Sequence, residues 1–226
     1  MNKLKRFLIV IIILLGGFAI YVQIVNRNSI NMTYRQKLLK AVYPAFMRIA
    51  KLTGANAKEL ANADKTPTVP FYSLKDTLND GSIFDFAQLK GKKVVLVNTA
   101  SDCGYTDQYG DLQKLYEANK ERLIIIGFPA NDFKEQEKGD DASIATFCQR
   151  NYGVSFLLMK KSSVVKGAEQ NPVFQWLTEA TKNGWNNKAP AWNFSKYIVN
   201  ENGVLTNYFG STISPLSDTF KNAIGK

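Results

Sequence analysis

The chain has 226 residues, 45% of them hydrophobic, enough for one ordinary domain with a sizeable core plus an extension. Its net charge of +10 is unevenly placed: residues 1–65 hold 11 Lys/Arg against only Glu59 and Asp64, whereas residues 66–226 hold 18 Lys/Arg against 17 Asp/Glu. A nearly neutral C-terminal part argues against a nucleic-acid-binding face. The absence of histidine excludes Ser-His-Asp and Cys-His catalysis and imidazole zinc sites, and two cysteines alone cannot close a structural zinc site.

Lys3, Lys5 and Arg6 precede an apolar run of 19 residues from Phe7 to Val25. At about 1.5 Å per residue such a run is close to the thickness of a bilayer core. Gly17-Phe18-Ala19 offers a small-x-small cleavage site, but the run continues past it, so an uncleaved anchor over residues 1–30 is expected. Basic residues flank the run on both sides. The short basic start places the following domain on the extracytoplasmic side.

Thr33 to Thr53 has the spacing of a helix, with Tyr34, Leu38, Val42, Phe46, Ile49 and Leu52 three and four apart. Arg35, Lys37, Lys40, Arg48 and Lys51 give it five positive charges and no acid, and Pro44 is expected to kink it. Two readings stand: a helix lying on an anionic membrane surface, or an amphipathic helix packed on the domain. Residues 31–68 are read as this helix followed by a polar linker from Gly54 to Pro70, which includes Asn56-Ala57-Lys58 and Asn62-Ala63-Asp64.

From Val69 the pattern becomes that of an α/β domain over 69–226. Phe71–Leu74 and Ser82–Phe86 flank the turn signal Asn79-Asp80-Gly81. The apolar runs Val94–Asn98 and Leu123–Phe128 suit strands buried on both faces. Helices are expected over Asp107–Asn119, Ser143–Asn151, Pro172–Lys182 and Ser217–Ile224. Further strands are expected over Ser155–Met159, Tyr197–Val199 and Val204–Phe209. This order implies a mixed central sheet flanked by helices.

Cys103 lies in Ala100-Ser101-Asp102-Cys103-Gly104-Tyr105-Thr106, between a buried strand and a helix, with Thr106 as the expected N-cap. A thiol just ahead of a helix N-terminus meets free N–H groups and the positive end of the dipole, which favour the nucleophilic thiolate.

The stretch from Val94 through Cys103 to Tyr109 resembles the region around the peroxidatic residue of the glutathione peroxidase family. Three later blocks resemble that family in the same order: Gly127–Phe133 with Gln136-Glu137, Phe147–Phe156, and Trp192–Tyr197. The resemblance implies a thioredoxin-like fold and a cofactor-free thiol peroxidase, in which the Cys103 thiolate attacks a peroxide oxygen and becomes a sulfenic acid. It assigns Trp192 and Asn193 as hydrogen-bond donors to the sulfur, although Trp192 on its own reads first as a core aromatic. Two departures stand out. Ala130 occupies a position where many members have cysteine, and Asp132 one where the family usually has a catalytic glutamine. A carboxylate near Cys103 disfavours the thiolate, so Asp132 is neutralised by Lys134, turned away, or a cause of weakened activity; it is kept among the candidate site residues. Cys148 falls at or within a residue of the family's resolving cysteine, and otherwise reads as buried packing. The implied partners are a peroxide, including lipid hydroperoxides, and a thioredoxin-like or glutathione reductant. Because members of that family with a long insertion here tend to form tetramers, the resemblance together with the short segment Lys160–Ala191 implies a monomeric domain.

Overall fold

The computed structural model describes residues 2–55 and 57–225. Met1, Asn56 and Lys226, which fall within the expected segments, lie outside the described residues. Two helices open the chain, α1 (Lys3–Val25) and α2 (Tyr34–Thr53). Strand β1 (Glu59–Ala61) and a hairpin of β2 (Lys75–Thr77) and β3 (Ile83–Asp85) follow. The remainder is β4 (Lys93–Thr99), α3 (Gln108–Asn119), β5 (Leu123–Pro129), α4 (Asp141–Tyr152), β6 (Leu157–Leu158), α5 (Pro172–Thr178), α6 (Ala180–Asn183), β7 (Lys196–Val199), β8 (Leu205–Phe209) and α7 (Asp218–Gly225).

Six strands form one sheet in the order β1-β8-β7-β4-β5-β6. β4, β5 and β6 run parallel, and β7, β8 and β1 pair antiparallel. β4 shows why its sequence reads as a continuous apolar run: successive side chains point to opposite faces. Val95 and Val97 enter a core layer with Tyr109, Leu112 and Leu115 of α3, Ile144 and Cys148 of α4, and Phe220 of α7. Val94 and Leu96 enter the other layer, with Val173, Phe174 and Trp176 of α5 and Phe71, Phe84 and Phe86. With both strands buried along their length, the loops that follow their C-terminal ends are left to present chemistry.

Three expectations are corrected. Phe71–Ser73 is a 3₁₀ turn, not a strand, because Phe71 is buried against the rings of Phe86 and Trp176, and β2 begins only at Lys75. The helix expected over Pro172–Lys182 breaks at Glu179, whose backbone is extended, where the Thr178 hydroxyl bonds back to Phe174 O at 2.7 Å. The stretch read as linker contains β1, which adds an edge strand to β8 through Leu60 opposite Tyr208.

α1 is exposed along almost its whole length and is apolar and long enough to cross a membrane. α2 starts at a capping box made by Thr33 and Gln36, contains Pro44, and ends at Gly54 in the left-handed conformation. It is packed on the domain, with Ala41, Tyr43 and Ala50 buried.

Lys196 of β7 is fully buried, and its ammonium donates to Ile213 O at 2.6 Å and Ser211 O at 3.4 Å. Burial pushes its pKa down to about 7 against the opposing pull of Asp111. Between about pH 7 and its unfolded value near 10.4 the unfolded chain holds the extra proton, so stability rises with pH in that window. A Lys196→Met variant is expected to lack this rise. Its stability relative to the parent, measured by urea unfolding, should then fall by on the order of 1 kcal/mol per pH unit from about pH 7 upward.

Candidate active site

The reactive loop leaves the end of β4. Thr106, expected as an N-cap, closes this loop instead: its hydroxyl accepts from the Cys103 N–H at 2.9 Å and donates to Ala100 O at 2.9 Å. Asp107 stands at the cap position of α3, with helical backbone and no side-chain cap bond. The clamp turns Cys103 inward, where its sulfur accepts the Tyr105 N–H at 3.4 Å.

The side chains of Trp192 and Asn193 lie near enough to the same sulfur to favour its thiolate. Asn98 of β4 fixes them. It donates from its side chain to Trp192 O at 3.2 Å, accepts the Ser195 N–H on its side chain at 3.0 Å, and accepts the Phe194 N–H on its carbonyl at 2.6 Å. Phe194 is held in the left-handed region with φ 64°. The structure therefore brings Cys103, Trp192 and Asn193 together.

Asp132 is directed elsewhere. Its two oxygens accept from Ser163 Oγ and from the Val164 N–H, both at 2.8 Å. Among the described residues no hydrogen bond joins it to Cys103, Trp192 or Asn193. Lys134 makes no ion pair with it; its ammonium lies 5.8 Å from the centre of the Trp192 ring. Of the arrangements left open for Asp132, its carboxylate takes the one turned away from the sulfur, onto the 163–164 turn.

Sequence reading missed the residue that takes the place beside Asn193. Lys134 and Glu135 both adopt positive φ, which reverses the chain and returns Gln136 to the site. The Gln136 carbonyl accepts the Asp102 N–H at 3.0 Å, and its side-chain oxygen accepts from Asn193 Nδ2 at 3.0 Å. Its neighbour Glu137 is buried and accepts the Ser101 hydroxyl at 2.6 Å. Burial pushes its carboxyl up to about 7, so near neutral pH it is only partly charged. The one signal in the sequence was the Gln-Glu pair a few residues after Asp132.

Cys148 is fully buried on α4 in the same apolar layer as Cys103, and both thiols are free. Burial pushes the Cys148 thiol up to about 12, with the Tyr109 hydroxyl as its favourable neighbour. Cys103 is 1% exposed, and burial raises its pKa by more than Tyr105 N–H, Trp192, Asn193 and the Arg35 charge lower it.

The burial has a specific source. α2 lies across the reactive loop: Arg35 pairs with the carboxylate and carbonyl of Asp102, Gln36 donates to Ser101 O at 3.0 Å, and the Phe46 ring stands 4.9 Å from that of Tyr105. A small cleft between helix and loop is lined by Gln36, Leu39, Lys40, Cys103 and Tyr152.

Comparison with known proteins agrees with this geometry. Residues 71–178 match the family model described as glutathione peroxidase. A glutathione peroxidase-like peroxiredoxin, GPX5 of Chlamydomonas reinhardtii, is 45% identical over 148 residues, 65% of this chain and 90% of that protein. The glutathione peroxidase homolog BsaA of Bacillus subtilis is 40% identical over 145 residues, 64% of this chain and 90% of its own. Among solved structures, Trgpx in its apo form superposes with a TM-score of 0.54 at 30% identity, covering 70% of this chain and 97% of that one. T. cruzi GPX1 does so with a TM-score of 0.51 at 25% identity, covering 68% and 92%. The fold is thioredoxin-like, and a chain that spans nine-tenths of such relatives at this identity, with its cysteine loop at the end of the matching strand, belongs to the glutathione peroxidase family.

Proposed function

We propose that the protein is a thiol peroxidase in which Cys103 is the peroxidatic residue, Trp192, Asn193 and Gln136 set its surroundings, and Cys148 resolves it. The observation that carries this reading is the place of Cys103 in the loop that leaves β4, where its sulfur accepts the Tyr105 N–H and has Trp192 and Asn193 near enough to favour its thiolate. In the first step the Cys103 thiolate attacks one peroxide oxygen and the O–O bond breaks. The departing oxygen takes a proton and leaves as water or alcohol, and Cys103 becomes a sulfenic acid. The Cys148 thiol then attacks the Cys103 sulfur, water leaves, and a disulfide forms. A thioredoxin-like dithiol returns both cysteines to thiols, while glutathione is the reductant of a one-cysteine cycle. Disulfide formation requires the two Cα atoms to come within about 7 Å of each other.

α1 serves as an uncleaved anchor over residues 1–30, with the domain on the extracytoplasmic side as a monomer. Lipid hydroperoxides join hydrogen peroxide as substrates on that reading. The peroxidase unit of 69–226 is completed by β1 from the preceding segment. A second reading, a redox sensor without efficient turnover, is favoured by one observation, the near-complete burial of Cys103.

Steady-state peroxide consumption with thioredoxin and with glutathione tests these readings. Cys103→Ser is expected to abolish consumption, and Trp192→Phe and Gln136→Ala each to lower it by about 10–100-fold. Asp132→Gln is expected to leave the rate within about twofold while lowering stability by about 1 kcal/mol, through lost acceptors for Ser163 and Val164. One equivalent consumed without turnover, whatever the reductant, favours the sensor. Since the Cys103 thiol is pushed up, the rate of the first step should keep rising with pH beyond the ordinary thiol range near 8.5.

Cys148→Ser is expected to retain a single turnover and to lose thioredoxin-supported cycling. Peptide mapping of the parent after stoichiometric peroxide should show a Cys103–Cys148 linkage. A parent that cycles with thioredoxin and never forms that linkage removes Cys148 from the mechanism.

A further inference from the structure

α2 precedes the family-matched region by 17 residues, yet it touches each part of the reactive loop. Arg35 holds Asp102, Gln36 holds Ser101, and Phe46 lies over Gly104, within 3.8 Å of where a side chain there would begin, and against Tyr105. Met47 joins the core layer that contains Cys103. The helix is tied to α1 as well: Tyr21 Oη donates to Ala41 O at 3.2 Å and Asn26 Nδ2 to Lys37 O at 2.9 Å. One short element thus connects the apolar N-terminal helix to the cover over the cysteine.

The other face of α2 has the chemistry of a lipid-binding helix. Ile49 is 61% and Leu52 87% exposed, beside Arg48 and Lys51, which make no ion pair among the described residues. In the docked position two of the five cations of α2 are engaged by the domain: Arg35 by Asp102, and Lys40 by the Tyr152 ring and the charge of Asp107. Released from the domain, the helix offers all five cations, together with Leu38, Val42, Phe46, Ile49 and Leu52, to an anionic surface. That surplus is a differential affinity for the released form, which is what a surface must have to shift the equilibrium. Pro44 lacks the N–H that would bond to Lys40 O, and it separates the Arg35–Gln36 contacts from the Phe46 contact, so the helix has a place to bend.

We propose that α2 is a gate over Cys103 which an anionic bilayer opens by binding the Arg48, Ile49, Lys51 and Leu52 face and drawing the helix off the reactive loop. The proposal rests on the reading of α1 as a membrane anchor. It makes the enzyme most reactive where its substrate is a hydroperoxide at a charged lipid surface.

The test uses the full chain in nanodiscs of phosphatidylcholine, with and without phosphatidylglycerol, and reads the rate at which a bulky maleimide labels Cys103, located by peptide mass spectrometry. Labelling is expected to be several-fold faster in the anionic discs, and the difference to shrink at high salt. Arg48→Glu with Lys51→Glu should remove the lipid dependence and leave labelling slow. Arg35→Ala should speed labelling in neutral discs. Equal rates in both discs, whether fast or slow, or a lipid dependence untouched by the double charge reversal, would overturn the gate. A chain that enters neither disc would overturn the anchor and the gate with it. Lipid-dependent labelling without peroxide consumption would instead leave the gate standing and remove the peroxidase reading.

Discussion

Asn98 is the residue on which the site depends. It sits at the end of β4, one residue before the strand gives way to the Cys103 loop, and uses its carbonyl and both atoms of its side-chain amide on the segment Trp192–Ser195. The two halves of the site come from parts of the chain about ninety residues apart. β4, buried on both faces and paired with β5 and β7, is a rigid element that holds them in register. The left-handed Phe194 is tolerable because the same clamp over-determines it.

A chain without histidine has no imidazolium to stabilise a thiolate, so other donors and charges must do so. The Tyr105 N–H, Trp192 and Asn193 all favour the charged sulfur, as does Arg35 from α2, yet burial still wins. Nearby carboxylates are dealt with so as not to tip the balance further. Asp132 is turned onto Ser163 and Val164. Glu137 is raised to about 7 and bound to Ser101. Asp102 is paired with Arg35. The helix that covers the sulfur therefore also supplies part of its electrostatics, so access and reactivity are linked through one element.

The sheet and most helices were legible because their signals are local. β4 and β5 are unbroken apolar runs, and α3 and α4 carry periodic apolar residues. What escaped was set by tertiary context. β1 is Glu-Leu-Ala, three residues with no pattern, and is a strand only because β8 offers an edge. At the break beside Glu179 the Ala180 N–H is taken by Asn187 Oδ1 and the Trp176 and Leu177 carbonyls by the side chains of Asn183 and Asn186, which no periodicity records. Cys103 stands out by its place between a buried strand and a helix, whereas Trp192 and Asn193 are candidates only through family resemblance, since a lone tryptophan reads first as core. Gln136 was missed because its return to the site depends on positive φ at Lys134 and Glu135, residues with no glycine-like freedom to announce it. The pattern of α2 fits a bilayer or a protein surface equally well, and only its contacts revealed that it lies over the reactive loop.

The most direct measurement is trapping of the oxidised sulfur. The Cys148→Ser protein is treated with one equivalent of hydrogen peroxide in the presence of dimedone, and the adduct is located by peptide mass spectrometry. Stoichiometric dimedone on Cys103, with Asn98→Ala forming it far more slowly, is the expected result. Peroxide that remains unconsumed while Cys103 is recovered as a free thiol would contradict the assignment of this sulfur as the reacting centre.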